Sequence, residues 1–154
     1  MEKYLMQMIM GSIGAVGFAV LFNVRTSKLL HIAAASSLSW MGYAVCMLCG
    51  TGLFWAFFCG TVVAALISEV LARVVRAPVL MLLVPILIPL IPGGDLYHMM
   101  SALVRSQDES FFRYARLVLT EAGSIALGII CVSSAASIFN GLRRRAEQKK
   151  GIGV

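Results

Sequence analysis

Seven consecutive residues in the middle of the chain, Pro92-Gly93-Gly94-Asp95-Leu96-Tyr97-His98, hold the most chemistry per unit length. A proline–glycine break followed by a helix leaves main-chain N–H groups unpaired at the helix start. Those groups carry a partial positive charge, and a discontinuous helix can use them to receive a carboxylate. Asp95 reads as the N-cap of the helix that follows. His98 stands three residues later on the same helical face, where it can exchange a proton with Asp95. The plainer alternative is a structural bend, with Asp95 capping its own helix and His98 at an interface. Two further carboxylates, Glu69 and Glu121, fall inside long apolar stretches. A carboxylate there must pair, protonate or face a cavity. Arg73, four residues after Glu69, is its natural ion-pair partner. Glu121 follows Thr120 near the start of an apolar run, where a helix dipole also favours an acidic residue. Either glutamate is a candidate proton-coupling group.

The rest of the composition narrows the setting. Of 154 residues 60% are hydrophobic and only 13% are charged. A soluble domain has about 45–50% apolar and about 25% charged residues, so the excess needs lipid as its solvent. There is no HExxH, no GxSxG and no glycine-rich phosphate loop, which argues against an enzyme. Two histidines and no Cys/His cluster leave no metal site and call for no cofactor. Cys46 and Cys49 form a CxxC, but with Cys59 and Cys131 they lie in apolar stretches and read as small packing residues. The net charge of +6 sits between apolar runs and at the C-terminus, a pattern of membrane topology and anionic headgroups rather than nucleic acid.

The apolar runs give an all-helical integral membrane protein of about five crossings. Tyr4 to Phe22 is the first, retained rather than a cleaved signal, with Gly11, Ala15 and Ala19 at every fourth position. Leu29 to Leu48 is the second and Leu53 to Val75 the third, where Gly60, Ala64, Ser68 and Ala72 form a small-residue stripe suited to close helix packing. Leu117 to Phe139 is the last, after a mixed-charge loop from Arg105 to Arg116. Residues 1–140 form one transmembrane domain and 141–154 a basic tail.

The fourth crossing, between 77 and 104, cannot be an ordinary helix. Ala77 to Ile91 is too short to cross alone, and Pro85, Pro89 and Pro92 each lack an N–H. Gly93 and Gly94 then permit backbone angles that other residues avoid. The sequence predicts a broken helix or re-entrant hairpin, whose irregular backbone must be buried in protein or line a wet cavity. Nine of the 13 lysines and arginines lie in the 23–28 loop, at 73–76 and in the tail. The positive-inside rule makes that side cytoplasmic and the N-terminus external.

Gly17-Phe18-Ala19-Val20-Leu21-Phe22-Asn23-Val24, Ser68-Glu69-x-x-Ala72-Arg73 and Val84-Pro85-x-x-x-Pro89-x-x-Pro92-Gly93-Gly94-x-x-Tyr97 together resemble the small membrane subunit of the threonine/serine exporter family. The resemblance covers roughly residues 8–140. It implies a bacterial inner-membrane secondary exporter of small carboxylate-bearing metabolites: threonine and serine, or a dicarboxylate such as succinate. It also implies a larger companion subunit, this chain being similar to the shorter half of the exporter. The family's motif residues fall here on Asn23, Glu69, Pro85, Pro89, Pro92, Gly93 and Tyr97. Asp95 occupies a position the resemblance implies is variable, which favours the Gly93–Gly94 backbone as the binding element.

The sequence thus points to proton-driven export of a small carboxylate. Pro92, Gly93, Gly94, Asp95, Tyr97 and Asn23 are the substrate-binding candidates, and Glu69, Glu121 and His98 the proton-coupling ones. The alternative is a non-transporting scaffold that assembles with itself or a partner through its small-residue stripes.

Overall fold

The computed structural model describes the backbone of residues 2–151 and the side chains of residues 5–142. Among them there are six α-helices and no strand: α1 (Glu2–Leu21), α2 (Leu29–Leu48), α3 (Leu53–Val75), α4 (Val79–Leu87), α5 (Gly93–Val104) and α6 (Asp108–Gly151). Short 3-10 turns precede α2 (Thr26–Lys28) and follow α4 (Ile88–Leu90). Three stretches are long and apolar enough to cross a bilayer: Thr26–Leu48, Leu53–Val75 and Asp108–Leu142. A fourth arises if Val79–Leu90 and Gly93–Val104, bent by 63°, count as one span. The apolar part of α1, Leu5–Leu21, is shorter than these.

Helices α1, α2 and α3 pack side by side, and α4 with its 3-10 turn is wedged against all three. The approach is close because small residues leave room for it. A Cβ on Gly11 of α1 would stand 2.9 Å from Pro89, and one on Gly60 of α3 would stand 3.2 Å from the Ser39 carbonyl and 3.3 Å from Leu90. Hydroxyls bind the same layer together. Ser12 meets Ser37 at 2.7 Å across α1 and α2, and Ser39 donates to the Gly60 carbonyl at 3.0 Å across α2 and α3. In a bilayer, where no hydrophobic force draws helices together, such packing and hydrogen bonding are what hold them. The stripe Gly60, Ala64, Ser68, Ala72 is buried throughout. Cys46 of α2 finds its thiol neighbour in Cys59 of α3 rather than in Cys49, and all four cysteines are free.

Four helices end alike. Asn23, Gly50, Arg76 and Ser106 adopt φ of 55°, 70°, 50° and 53°, and the next residue's N–H reaches back five residues to Ala19, Cys46, Ala72 and Ala102. This left-handed closure satisfies carbonyls that would otherwise be orphaned in lipid.

Helix α6 runs parallel to α3 in a fixed register. Arg73 meets Asn140 and Thr61 meets Gly128, in both cases 67 residues apart. Carried to the start of α3, that offset places Glu121 beside Phe54 and leaves the first residues of α6 projecting about 18 Å beyond α3. Helix α5 packs chiefly on this projecting arm. Two expectations are therefore corrected. The mixed-charge segment from Arg105 to Arg116 is not a loop: only the short link to Gln107 is, and Asp108 begins α6, where Asp108 and Glu109 suit the dipole of its first turn. The final helix does not stop at Phe139 but continues through residue 141, into what reads as a separate tail, to Gly151.

Candidate functional site

The break between α4 and α5 is made by three prolines in different ways. Pro85 is buried inside α4, Pro89 lies in the 3-10 turn, and Ile91 and Pro92 leave the helical region altogether. Gly93 donates to the Ile91 carbonyl at 2.7 Å, and Leu96 makes the first helical bond of α5, to Pro92 at 3.0 Å. The amides of Gly94 and Asp95 precede that bond, in the stretch where a helix has no internal acceptor. Two readings of this segment need correction. Asp95 is not the N-cap: Pro92 holds that position without a side-chain cap, and Asp95 sits in the first turn of α5. Nor do Gly93 and Gly94 use angles denied to other residues, because neither has a positive φ. What they provide is space: a Cβ at either position would meet nothing within 4 Å.

From the first turn of α5 the Asp95 carboxyl reaches the Glu121 carboxyl of α6. Glu121 is only 4% exposed, and its Oε2 has no hydrogen-bond partner among the described residues. Two turns further along the same face of α6, the buried Thr61 hydroxyl of α3, opposite Gly128, is likewise without one. Ser124, also buried, donates to the Glu121 carbonyl at 2.8 Å, so it holds the backbone rather than the carboxyl group. Two carboxyl groups at such range repel when both are charged, and one proton between them turns the repulsion into a hydrogen bond.

The other sequence candidates lie elsewhere. Glu69 pairs with Arg73 at 3.7 Å, and Arg73 also donates to the Asn140 side chain at 3.1 Å, tying α3 to α6. Asn140 is 19 residues beyond Glu121, about 28 Å along the helix, so the two glutamates do not share a site. Asn23 is exposed and occupies the left-handed position that closes α1, a conformation asparagine tolerates well. His98 is exposed and stacks on Tyr114 of α6 at 5.2 Å between ring centroids. Tyr97, 70% exposed, stands edge-on to His98. Sequence reasoning did not bring Asp95 to Glu121 or His98 to Tyr114. The seven-residue spacing of Tyr114 and Glu121, which puts both on one face of a helix, was the available signal.

Over residues 7–135 the chain matches the family described as Threonine/Serine exporter, ThrE. The chain belongs to the threonine/serine exporter family. No solved structure matches it. Membership, together with apolar helices of spanning length, makes this exporter-family chain a multi-pass membrane protein of transport type.

Proposed function

We propose that the chain is the smaller part of a proton-driven exporter of threonine and serine, and that its substrate lies between the Pro92–Asp95 turn and the Asp95–Glu121 pair. The observation that carries this reading is Glu121: buried, with an unpartnered oxygen, facing Asp95 directly after an uncapped helix start. A zwitterionic amino acid complements that pair of features. Its carboxylate suits the amides of Gly94 and Asp95, and its ammonium suits the two carboxyl groups. Export against an inward proton gradient requires proton and substrate to exclude one another. Competition between a proton and an ammonium for the same carboxyl pair does that. A dicarboxylate such as succinate fits less well, because its second charge meets Asp95 and Glu121.

The broken α4–α5 pair serves as the fourth crossing and α1 as the first, giving five. The cationic end of the bundle, with Arg25, Lys28, Arg73 and Arg76, faces the cytoplasm of a bacterial inner membrane. A larger companion subunit, or a second copy of this chain, covers the remaining apolar surface of α5 and α6. The test is efflux of labelled threonine from vesicles carrying the chain and its companion, driven by an imposed pH gradient. Glu121→Gln and Gly93→Val are each expected to abolish driven efflux. Wild-type rates in both variants would sink the assignment.

A further inference from the structure

The projecting α5–α6 arm holds a second polar feature, separate from the carboxyl pair. Where α5 turns into α6, a cleft of about 340 Å³ opens between them, lined by His98, Arg105, Gln107, Ser110, Arg113 and Tyr114 among others. Two arginines, Arg105 and Arg113, line it. Arg105 follows the last residue of α5, where its N–H bonds the Ser101 carbonyl at 3.1 Å. Arg113 lies over the Tyr114 ring at 4.9 Å, and its Nη2 donates to the Tyr114 hydroxyl at 3.3 Å. His98 stacks on the same Tyr114 ring, 5.2 Å between centroids. A guanidinium plane held as that of Arg113 is loses little freedom on binding an oxyanion, and arginine suits carboxylate or phosphate oxygens bidentately. The lining as a whole is rich in donors and contains no carboxyl group, although Asp108 and Glu109 lie in the adjoining turn of α6.

We propose that this cleft is an oxyanion-binding site, taking the carboxylate of a small metabolite or the phosphate of an anionic lipid headgroup. Tyr114 lies seven residues before Glu121, which is level with Phe54, so by the register of α6 on α3 it stands about 10 Å beyond the start of α3. That is headgroup depth or beyond, where either form of the ligand is available. The site does not depend on the proposed transport mechanism, since it uses none of the same side chains.

The test uses the full chain purified in an uncharged detergent, with two probes: succinate, followed by titration calorimetry, and phosphatidylglycerol, followed by its retention in native mass spectra. The variants are Arg105→Gln with Arg113→Gln, each also made singly in case the pair impairs folding, and Arg25→Gln as a control for general charge. Saturable succinate binding at least tenfold weaker in the cleft variants, with Arg25→Gln unaffected, supports a free-anion site. Phosphatidylglycerol retention lost in the same variants, and kept in Arg25→Gln, supports a lipid site. Glu121→Gln should leave either signal unchanged, which separates this site from the substrate site. The proposal is overturned if the wild type binds neither probe, if the cleft variants bind like wild type, or if Arg25→Gln loses as much.

Discussion

Asp95 and Glu121 face one another across the α5–α6 contact, 26 residues apart in the chain, with Glu121 almost wholly buried. Each approaches from a different element. Asp95 is delivered by the first turn after the Pro92 break, and Glu121 by the part of α6 level with the start of α3. A continuous helix from Val79 to Val104 would carry Asp95 away on a different line, so the 63° bend and the carboxyl contact belong together.

Proton release is the most direct test of competition at this pair. Threonine added to the purified protein in weak buffer should release protons from the wild type and none from Glu121→Gln. Asp95→Asn should reduce the release, and the double variant should lose no more than Glu121→Gln alone, because groups acting as one unit are not additive. A pH electrode or indicator dye reads the result.

Glycine substitutions should separate packing from binding. Gly93→Ala introduces a Cβ into open space and should leave the melting temperature within a degree or two of wild type while lowering driven efflux at least tenfold. Gly11→Ala and Gly128→Ala place a Cβ 2.9 Å from Pro89 and Thr61 and should destabilise by about 1–3 kcal/mol. Thermal melts in detergent and vesicle efflux measure the two effects side by side. Equal loss of stability in all three would show that Gly93 is a packing residue.

Glu69 should prove structural. Its contact with Arg73 is 3.7 Å long and half-open to solvent, and such pairs contribute under about 1 kcal/mol. Glu69→Gln is expected to shift stability by no more than that and to keep proton-driven efflux within about twofold of wild type. A loss of driven efflux comparable to that of Glu121→Gln would move the coupling site to the other end of the bundle.

Asn23 offers a clean choice between backbone and side chain. Asn23→Gly keeps the left-handed closure of α1 and should leave efflux unchanged, whereas Asn23→Val forces a β-branched residue into that conformation at a cost of about 1–2 kcal/mol. If Asn23→Gly folds normally but exports poorly, the amide itself touches substrate.

Much of this molecule was legible in the residues alone. Apolar runs set the helices, because no other backbone arrangement satisfies its own hydrogen bonds in lipid apart from a closed barrel. The prolines and glycines of 85–94 marked the break, since a residue without an N–H cannot carry a helix forward indefinitely. The spacing of Glu69 and Arg73 already implied their pairing, which is local to one helix. Asp95 meeting Glu121, His98 stacking on Tyr114 and Arg73 reaching Asn140 were decided only by tertiary structure. Each joins positions on different helices, and which faces meet depends on the angle at Pro92 and the register of α6 on α3. Those follow from packing summed over many small contacts, such as Gly11 on Pro89 and Gly128 on Thr61, and no single stretch of sequence contains them.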